Sequence, residues 1–141
     1  MVQDLVTKCP MWEYNEHGKP FWTDGPYFSI SHCKAGIAVA VDEEPIGIDI
    51  ETIRSADEGL IKRVMSAEEQ EMIEQAEDPA RVFTRLWTQK EAVVKAQGTG
   101  IFSFEQLQGI RSQESGLKIQ TFEKANYIYS IAYGKLHCIG A

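Results

Sequence analysis

Three carboxylates and one lysine fall in two short stretches of the chain, at spacings that suit a divalent cation beside a phosphate. Asp49 and Glu51 lie two residues apart in a β-rich run, so a strand would point both side chains the same way, roughly 6 to 7 Å apart. Glu91 and Lys95 lie four apart, so a helix would place both on one face, about 6 Å apart along its axis. Close carboxylates repel each other unless a cation joins them, and Mg²⁺ prefers oxygen ligands that substrate phosphates commonly complete. The pattern indicates a cation site formed only in part by protein.

Each pair also has an ordinary explanation. Acidic residues on a strand usually form a solvated face, and a Glu followed four residues later by a Lys is a common exposed ion pair worth roughly a few tenths of a kcal/mol. Taken alone, neither pair distinguishes a site from a surface.

The strand and the helix that must position these residues are both readable in the sequence. In the run Ile46–Glu51, the three isoleucines share one face while Gly47, Asp49 and Glu51 share the other, which predicts a strand with one core face and one site face. Asp78 followed by Pro79 is typical of a helix start, and apolar residues then recur at roughly helical spacing until Gly98. We therefore expect Glu91 and Lys95 to lie near the end of a long helix.

The remaining elements give an α+β class. Ser66 and Glu69 fit a capping box at the start of a further helix. Residues 1–26 carry turn signals and are expected to be loosely ordered with one short strand. Strands are predicted in two groups, namely a hairpin of Tyr27–Ser31 and Ile37–Val41 around a polar tip at His32–Gly36, and two closing strands at Leu117–Phe122 and Tyr127–Tyr133.

Composition limits the class of protein. The chain has 141 residues, enough for one domain with a single core, and its net charge of -7 disfavours a nucleic-acid partner. The three cysteines form no C-x-x-C pair, so we expect reduced thiols and neither a disulfide framework nor a structural zinc site. No run approaches the about 18 apolar residues that a membrane span requires, and the first residues do not form a signal peptide. A cytoplasmic location is expected.

The chain resembles the 4'-phosphopantetheinyl transferases, specifically the surfactin-synthetase-activating type. The resemblance covers most of residues 14–101 and lies in ordered blocks. These blocks are Gly18–Pro20, Phe28–His32, Ile46–Glu51, Val64–Glu69, Leu86–Lys95 and Gly98–Ile101.

The resemblance implies a fold in which an antiparallel sheet packs against helices, and a Mg²⁺-dependent reaction. Members move the phosphopantetheine arm of coenzyme A onto a serine of an apo acyl or peptidyl carrier protein and release adenosine 3',5'-bisphosphate. By resemblance, Asp49, Glu51 and Glu91 would hold the Mg²⁺. Glu91 would also take the proton from the carrier serine, directly or through a metal-bound water, and Lys95 would offset charge on the departing bisphosphate.

The resemblance also implies residues that bind coenzyme A. Ser31 and His32 match a serine–histidine pair near the 3'-phosphate, and Lys19 matches a position at the nucleotide end. Lys90, beside Glu91 but about 100° around the helix, is a further candidate for this binding.

Full-length members of this type contain two similar halves with the active site between them. Here residues 43–141 match the second half, while residues 1–42 match only a remnant of the first, which predicts a single half-domain with an N-terminal extension. The smaller holo-acyl-carrier-protein synthases build the cleft between identical subunits, so we expect a homo-oligomer. Two alternatives stay open. One is a degenerate relative that binds coenzyme A or a carrier protein without turnover, and the other is an unrelated Mg²⁺-dependent phosphohydrolase, which leaves Ser31 and His32 unexplained.

Overall fold

The fold combines helices with short antiparallel sheets. The computed structural model describes residues 12–98, 104–110 and 116–134. The elements, in chain order, are β1 (Trp12–Tyr14), β2 (Pro20–Trp22), β3 (Tyr27–Cys33), β4 (Gly36–Asp42), β5 (Ile46–Thr52), α1 (Glu58–Val64), α2 (Ala67–Glu74), α3 (Pro79–Gln97), α4 (Phe104–Gly109), β6 (Lys118–Glu123) and β7 (Tyr127–Tyr133). The strands pair as β1–β2, β3–β4 and β5–β7–β6, all antiparallel. The predicted α+β class is confirmed.

Local sequence signals fix the ends of the helices. The Ser66 hydroxyl accepts from the Glu69 amide and the Glu69 carboxylate accepts from the Ser66 amide, which completes the predicted capping box of α2. The Asp78 carboxylate accepts from the Arg81 amide at the start of α3. Gly98 ends α3 with φ of 70°, a conformation that favours glycine. Among the described residues, no helix is long and apolar enough to cross a membrane.

Residues 12–26 are more ordered than the sequence predicted. Where one short strand was expected, β1 and β2 form a hairpin whose turn is held by the Asn15 side chain, an acceptor for the amides of His17 and Lys19. The Asn15 amide group also donates to the carbonyl oxygen of Gly98 at 2.8 Å, which joins the hairpin to the end of α3. Residues 1–11, and with them Cys9, lie outside the described residues, as do Cys138 and residues 99–101 of the last matching block.

Helix α3 lies across one face of the β5–β7–β6 sheet. The backbones of β5 and α3 are so close that a side chain at Gly47 would overlap the carbonyl oxygen of Ala92 and the amide nitrogen of Ala96. The glycine at this position permits that approach. Consequently β5 is buried on both faces from Ile46 to Ile50, so the predicted site face is not open to solvent in this stretch. The predicted site face packs against the helix instead.

The β3–β4 hairpin lies beside the free edge of β5. Two serine hydroxyls of β3 accept from backbone amides of β5, Ser29 from Ile48 and Ser31 from Ile50. The strands run further than predicted, since His32 pairs with Ile37 inside the ladder and does not lie in the turn. The helices pack around a separate apolar cluster, which consists of Val64, Met65, Ile73, Phe83, Leu86, Val94 and Leu107.

Candidate active site

The junction of β5 and α3 brings Asp49 and Lys95 together. Gly47 allows the strand to approach the helix two residues before Asp49, and the sheet register directs Asp49 toward the same helix as Gly47. The Lys95 ammonium donates to Asp49 Oδ1 at 3.0 Å and to the Ile48 carbonyl oxygen at 3.0 Å. Residues 46 positions apart in the sequence therefore form a partly buried ion pair.

One carboxylate oxygen of Asp49 accepts two hydrogen bonds and the other accepts none. Oδ1 accepts from Lys95 and also from the Ser31 hydroxyl at 3.1 Å. Asp49 is only 4% exposed. Among the residues that the structure describes, its Oδ2 is the one buried side-chain oxygen or nitrogen without a hydrogen-bond partner. A buried, unpartnered carboxylate oxygen is costly, so it points to a ligand atom for a cation.

Electrostatic coupling connects the three predicted carboxylates. Burial raises the pKa of Asp49 to about 6, Lys95 opposes that rise and Glu51 adds to it. Burial likewise raises the pKa of Glu91 to about 7, with further increases from Asp49 and Glu51 and an opposing effect of Lys95. Asp49 and Glu91 are therefore harder to ionise, in part because another carboxylate is near, and a cation would relieve that repulsion.

The donor set fits a hard cation, although the ligands do not already surround one. Within the described ranges, no three His, Cys, Asp or Glu side chains stand close enough together to hold a metal ion. The oxygens at hand are carboxylates, which suit Mg²⁺ in a site completed by substrate oxygens. The unpartnered Oδ2 of Asp49 supplies one such ligand atom. The assignment of Asp49, Glu51 and Glu91 as metal ligands stays a prediction.

Ser31 and His32 lie on opposite faces of β3. Ser31 is buried and donates its hydroxyl hydrogen to Asp49, whereas His32 is exposed on the outer face of the hairpin opposite Ile37. Neighbouring residues of a strand necessarily point to opposite sides. The structure therefore brings only Ser31 to the carboxylate cluster, and the assignment of Ser31 and His32 to coenzyme A binding stays a prediction.

Lys19 lies close to Lys95 but is engaged by the backbone. Its ammonium donates to the carbonyl oxygen of Ile46 at 3.1 Å and to that of Lys95. Burial, and then repulsion from Lys95, lower the pKa of Lys19. A cavity of about 230 Å³ opens between these elements, and both lysines line it together with Phe28 and Ser29. Lys19 thus connects the β1–β2 turn to β5 and α3. It also borders a space that could receive an anionic ligand.

Lys90 does not belong to this group. Its side chain is 1% exposed, and its ammonium donates to the carbonyl oxygens of Leu107 and Ile110 and pairs with Glu69 at 2.9 Å. The same Glu69 completes the capping box of α2. In the structure this lysine ties α3 to α4 and α2, and its assignment to coenzyme A binding stays a prediction.

Sequence reasoning missed two contributors to the cluster. Gly47 sets the distance between β5 and α3, and the signal was available, since a glycine inside a strand pattern often marks a close backbone approach. The Ser31 contact to Asp49 had no local signal, because the two residues are 18 positions apart.

Comparisons with known proteins agree with this architecture. A family model described as the 4'-phosphopantetheinyl transferase superfamily matches residues 45–138. The 4'-phosphopantetheinyl transferase psf-1 of Bacillus pumilus is 39% identical over 95 residues, covering 64% of this chain and 41% of the relative. AcpT of Salmonella typhi is 41% identical over 106 residues, covering 70% and 55%, and HetI of a Nostoc species is 34% identical over 119 residues, covering 77% and 50%. The chain spans about half the length of the curated relatives it matches.

Proposed function

Since the chain belongs to the 4'-phosphopantetheinyl transferase superfamily, we propose that it transfers the 4'-phosphopantetheine arm of coenzyme A to a serine of an apo acyl or peptidyl carrier protein. The reaction would depend on Mg²⁺ and release adenosine 3',5'-bisphosphate. The relatives that match are named for this transferase activity. The division into a remnant (residues 1–42) and a second half (residues 43–141) is part of the proposal.

The observation that carries the proposal is the buried, unpartnered Oδ2 of Asp49 beside two coupled carboxylates. Asp49, Glu51 and Glu91 would hold the Mg²⁺, which when bound neutralises charge on the coenzyme A pyrophosphate. Lys95 uses two of its three ammonium hydrogens on Asp49 and Ile48, which leaves one for a phosphate oxygen. The cavity bordered by Lys19 and Lys95 provides room for an anionic group.

Glu91 is the carboxylate best placed to take the proton. Asp49 is buried and already accepts from Lys95 and Ser31, whereas Glu91 is only partly buried, so an incoming serine hydroxyl can reach it. As the serine oxygen bonds to phosphorus, its proton passes to Glu91 and the phosphoanhydride bond breaks. The bisphosphate leaves with the electron pair of that bond, and the positive charge of Lys95 favours its departure.

A second copy of the chain is the proposed partner for the outer face of the β3–β4 hairpin. This face consists of Ile30, Ile37, Val39 and Val41, which are 41%, 76%, 59% and 56% exposed. Lys34 lies at the hairpin tip and the acidic residues 42–44 lie at its base. If two copies pair these faces in antiparallel, two-fold fashion, the tip of each hairpin lies beside the base of the other. Lys34 of each copy would then lie near the acidic residues of the other, and the aliphatic side chains would meet between them. We assign the homo-oligomer to this face.

The alternative is a relative that binds coenzyme A or a carrier protein without turnover. The chain spans about half the length of its relatives, so this alternative is tested together with the transferase. Retention of Asp49, Glu91 and Lys95 in one cluster favours catalysis. Binding without transfer would favour the alternative.

The test is direct transfer. The purified chain is incubated with coenzyme A, Mg²⁺ and a panel of apo carrier proteins, and mass spectrometry then detects a gain of about 340 Da on a carrier serine. EDTA and the variant Asp49→Asn should each abolish the gain, whereas Asp24→Asn, an exchange of the same kind at an exposed turn outside the cluster, should retain it. Coenzyme A binding without any gain would contradict the transferase and support the non-catalytic alternative.

A further inference from the structure

Two serines of β3 hold the edge of β5, but only one of them touches the carboxylate cluster. Ser29 Oγ accepts from the Ile48 amide at 3.1 Å, and Ser31 Oγ accepts from the Ile50 amide at 3.0 Å. Both serines are buried. Ser31 alone also donates to Asp49 Oδ1, at 3.1 Å. The two serines therefore share one backbone role and differ in a single contact.

The direction of the Ser31 hydroxyl is determined by its two partners. Its oxygen is occupied by the Ile50 amide, so its hydrogen is directed to Asp49 Oδ1. Lys95 donates to the same oxygen, but from the end of a long, flexible side chain. Ser31 has one side-chain torsion before its oxygen and lies in a buried strand, so it is the more rigid of the two donors. It determines which carboxylate oxygen stays unpartnered.

We propose that Ser31 is a positioning residue that orients Asp49 so that Oδ2 is presented to the bound cation. The inference rests on the proposed function, because it concerns the same cation site. It assigns Ser31 a different role from contact with a phosphate, since the single hydroxyl hydrogen cannot be donated to Asp49 and to a phosphate at once. Outer partners that orient a ligating carboxylate contribute strongly to metal affinity.

The experiment compares Ser31→Ala with Ser29→Ala in the full chain. Both variants remove an acceptor from a β5 amide, so their urea midpoints should fall by similar amounts. The affinity for Mn²⁺ is measured from the signal of the free ion in electron paramagnetic resonance, with coenzyme A present and no carrier protein. We expect Ser31→Ala to weaken Mn²⁺ binding about tenfold and Ser29→Ala to change it less than about twofold. Ser31→Thr keeps the hydroxyl and should restore most of the affinity.

The possible outcomes separate this inference from the function on which it rests. If the wild-type chain binds Mn²⁺ and the two alanine variants bind it equally well, the positioning role is refuted while the cation site stands. If the wild-type chain binds no Mn²⁺, the cation site fails and the positioning role fails with it. Selective loss in Ser31→Ala, with matched stability of the two variants, supports the proposal.

Discussion

At the scale of single residues, the site is defined by which polar atoms form hydrogen bonds and which have no partner. Lys95 and Ser31 both donate to one oxygen of Asp49, and the other oxygen stays buried and unpartnered. Glu91 stands nearby with a pKa of about 7, raised mainly by burial and then by Asp49. Without a cation, this concentration of carboxylates destabilises the fold at neutral pH.

The raised pKa of Glu91 predicts a specific dependence of stability on pH. In the unfolded chain Glu91 ionises near 4.5, so between about pH 4.5 and 7 the folded state binds more protons and wild-type stability falls as the pH rises. Glu91→Gln cannot ionise and avoids this loss. In EDTA, we expect the variant to exceed the wild type in free energy of unfolding by about 1 to 3 kcal/mol at pH 8 and to match it at pH 4.

Urea unfolding at pH 4, 6 and 8 measures the difference. Glu77→Gln, at an exposed position on the loop before α3, serves as the control and should show no such trend. A gap between Glu91→Gln and the wild type that is equal at all three pH values would contradict the coupling.

Prediction from sequence succeeded where the partners of a residue are close in the chain. Ser66, Asp78 and Gly98 were assigned correctly as helix ends because each bonds within five residues of itself. The buried contacts of Lys90 were not predicted, because its partners at Glu69 and Leu107 lie 21 and 17 positions away. A lysine next to a candidate catalytic residue looks like a ligand contact until the fold shows that its side chain points inward.

At the scale of elements, the contact between β5 and α3 decides the geometry of the cluster. The strand supplies Asp49 and the helix supplies Lys95, and Gly47 allows the two backbones to approach. The sequence predicted the strand and the helix but not the distance between them. That distance depends on the glycine at position 47, a signal that the prediction did not use. Lys19, in the turn between β1 and β2, also joins β5 to α3, because its ammonium donates to the carbonyl oxygens of Ile46 and Lys95.

Gly47→Ala tests this contact. The added methyl group would overlap the backbone of Ala92 and Ala96, so strand and helix must separate. We expect a loss of about 3 kcal/mol in free energy of unfolding, measured in urea, together with weakened Mn²⁺ binding. Gly109→Ala is the matched control, because a side chain at that position meets no atom within 4 Å. Equal stability of the two variants would refute the role of Gly47.

At the scale of the whole molecule, the outer face of the β3–β4 hairpin carries a contiguous apolar surface within the described part of the chain. Four aliphatic side chains stand exposed there on two paired strands, Ile30, Ile37, Val39 and Val41. Lone exposed aliphatic residues are common, but a contiguous set on a sheet face marks an interaction surface. Sequence analysis predicted a homo-oligomer but could not name the face, because exposure is a property of the folded chain.

Val39→Lys tests the assignment of this face. The substitution places a positive charge near the proposed two-fold axis, where each copy would oppose the same charge. We expect sedimentation velocity to show a dimer or larger assembly for the wild type and a monomer for the variant. Met72→Lys changes an exposed apolar residue on α2 and should leave the assembly intact. A wild-type chain that sediments only as a monomer would contradict self-association.

The same hairpin has a consequence for the colloidal behaviour of the protein. From Gly36 to Val41 the chain runs through six residues without a charge or a proline and with strong β propensity, a pattern typical of segments that aggregate. Lys34 on one side and the acidic residues 42–44 on the other act as gatekeepers that interrupt intermolecular strand addition. Solubility during expression therefore depends on those flanking charges and on how quickly each newly made chain covers its β4 surface.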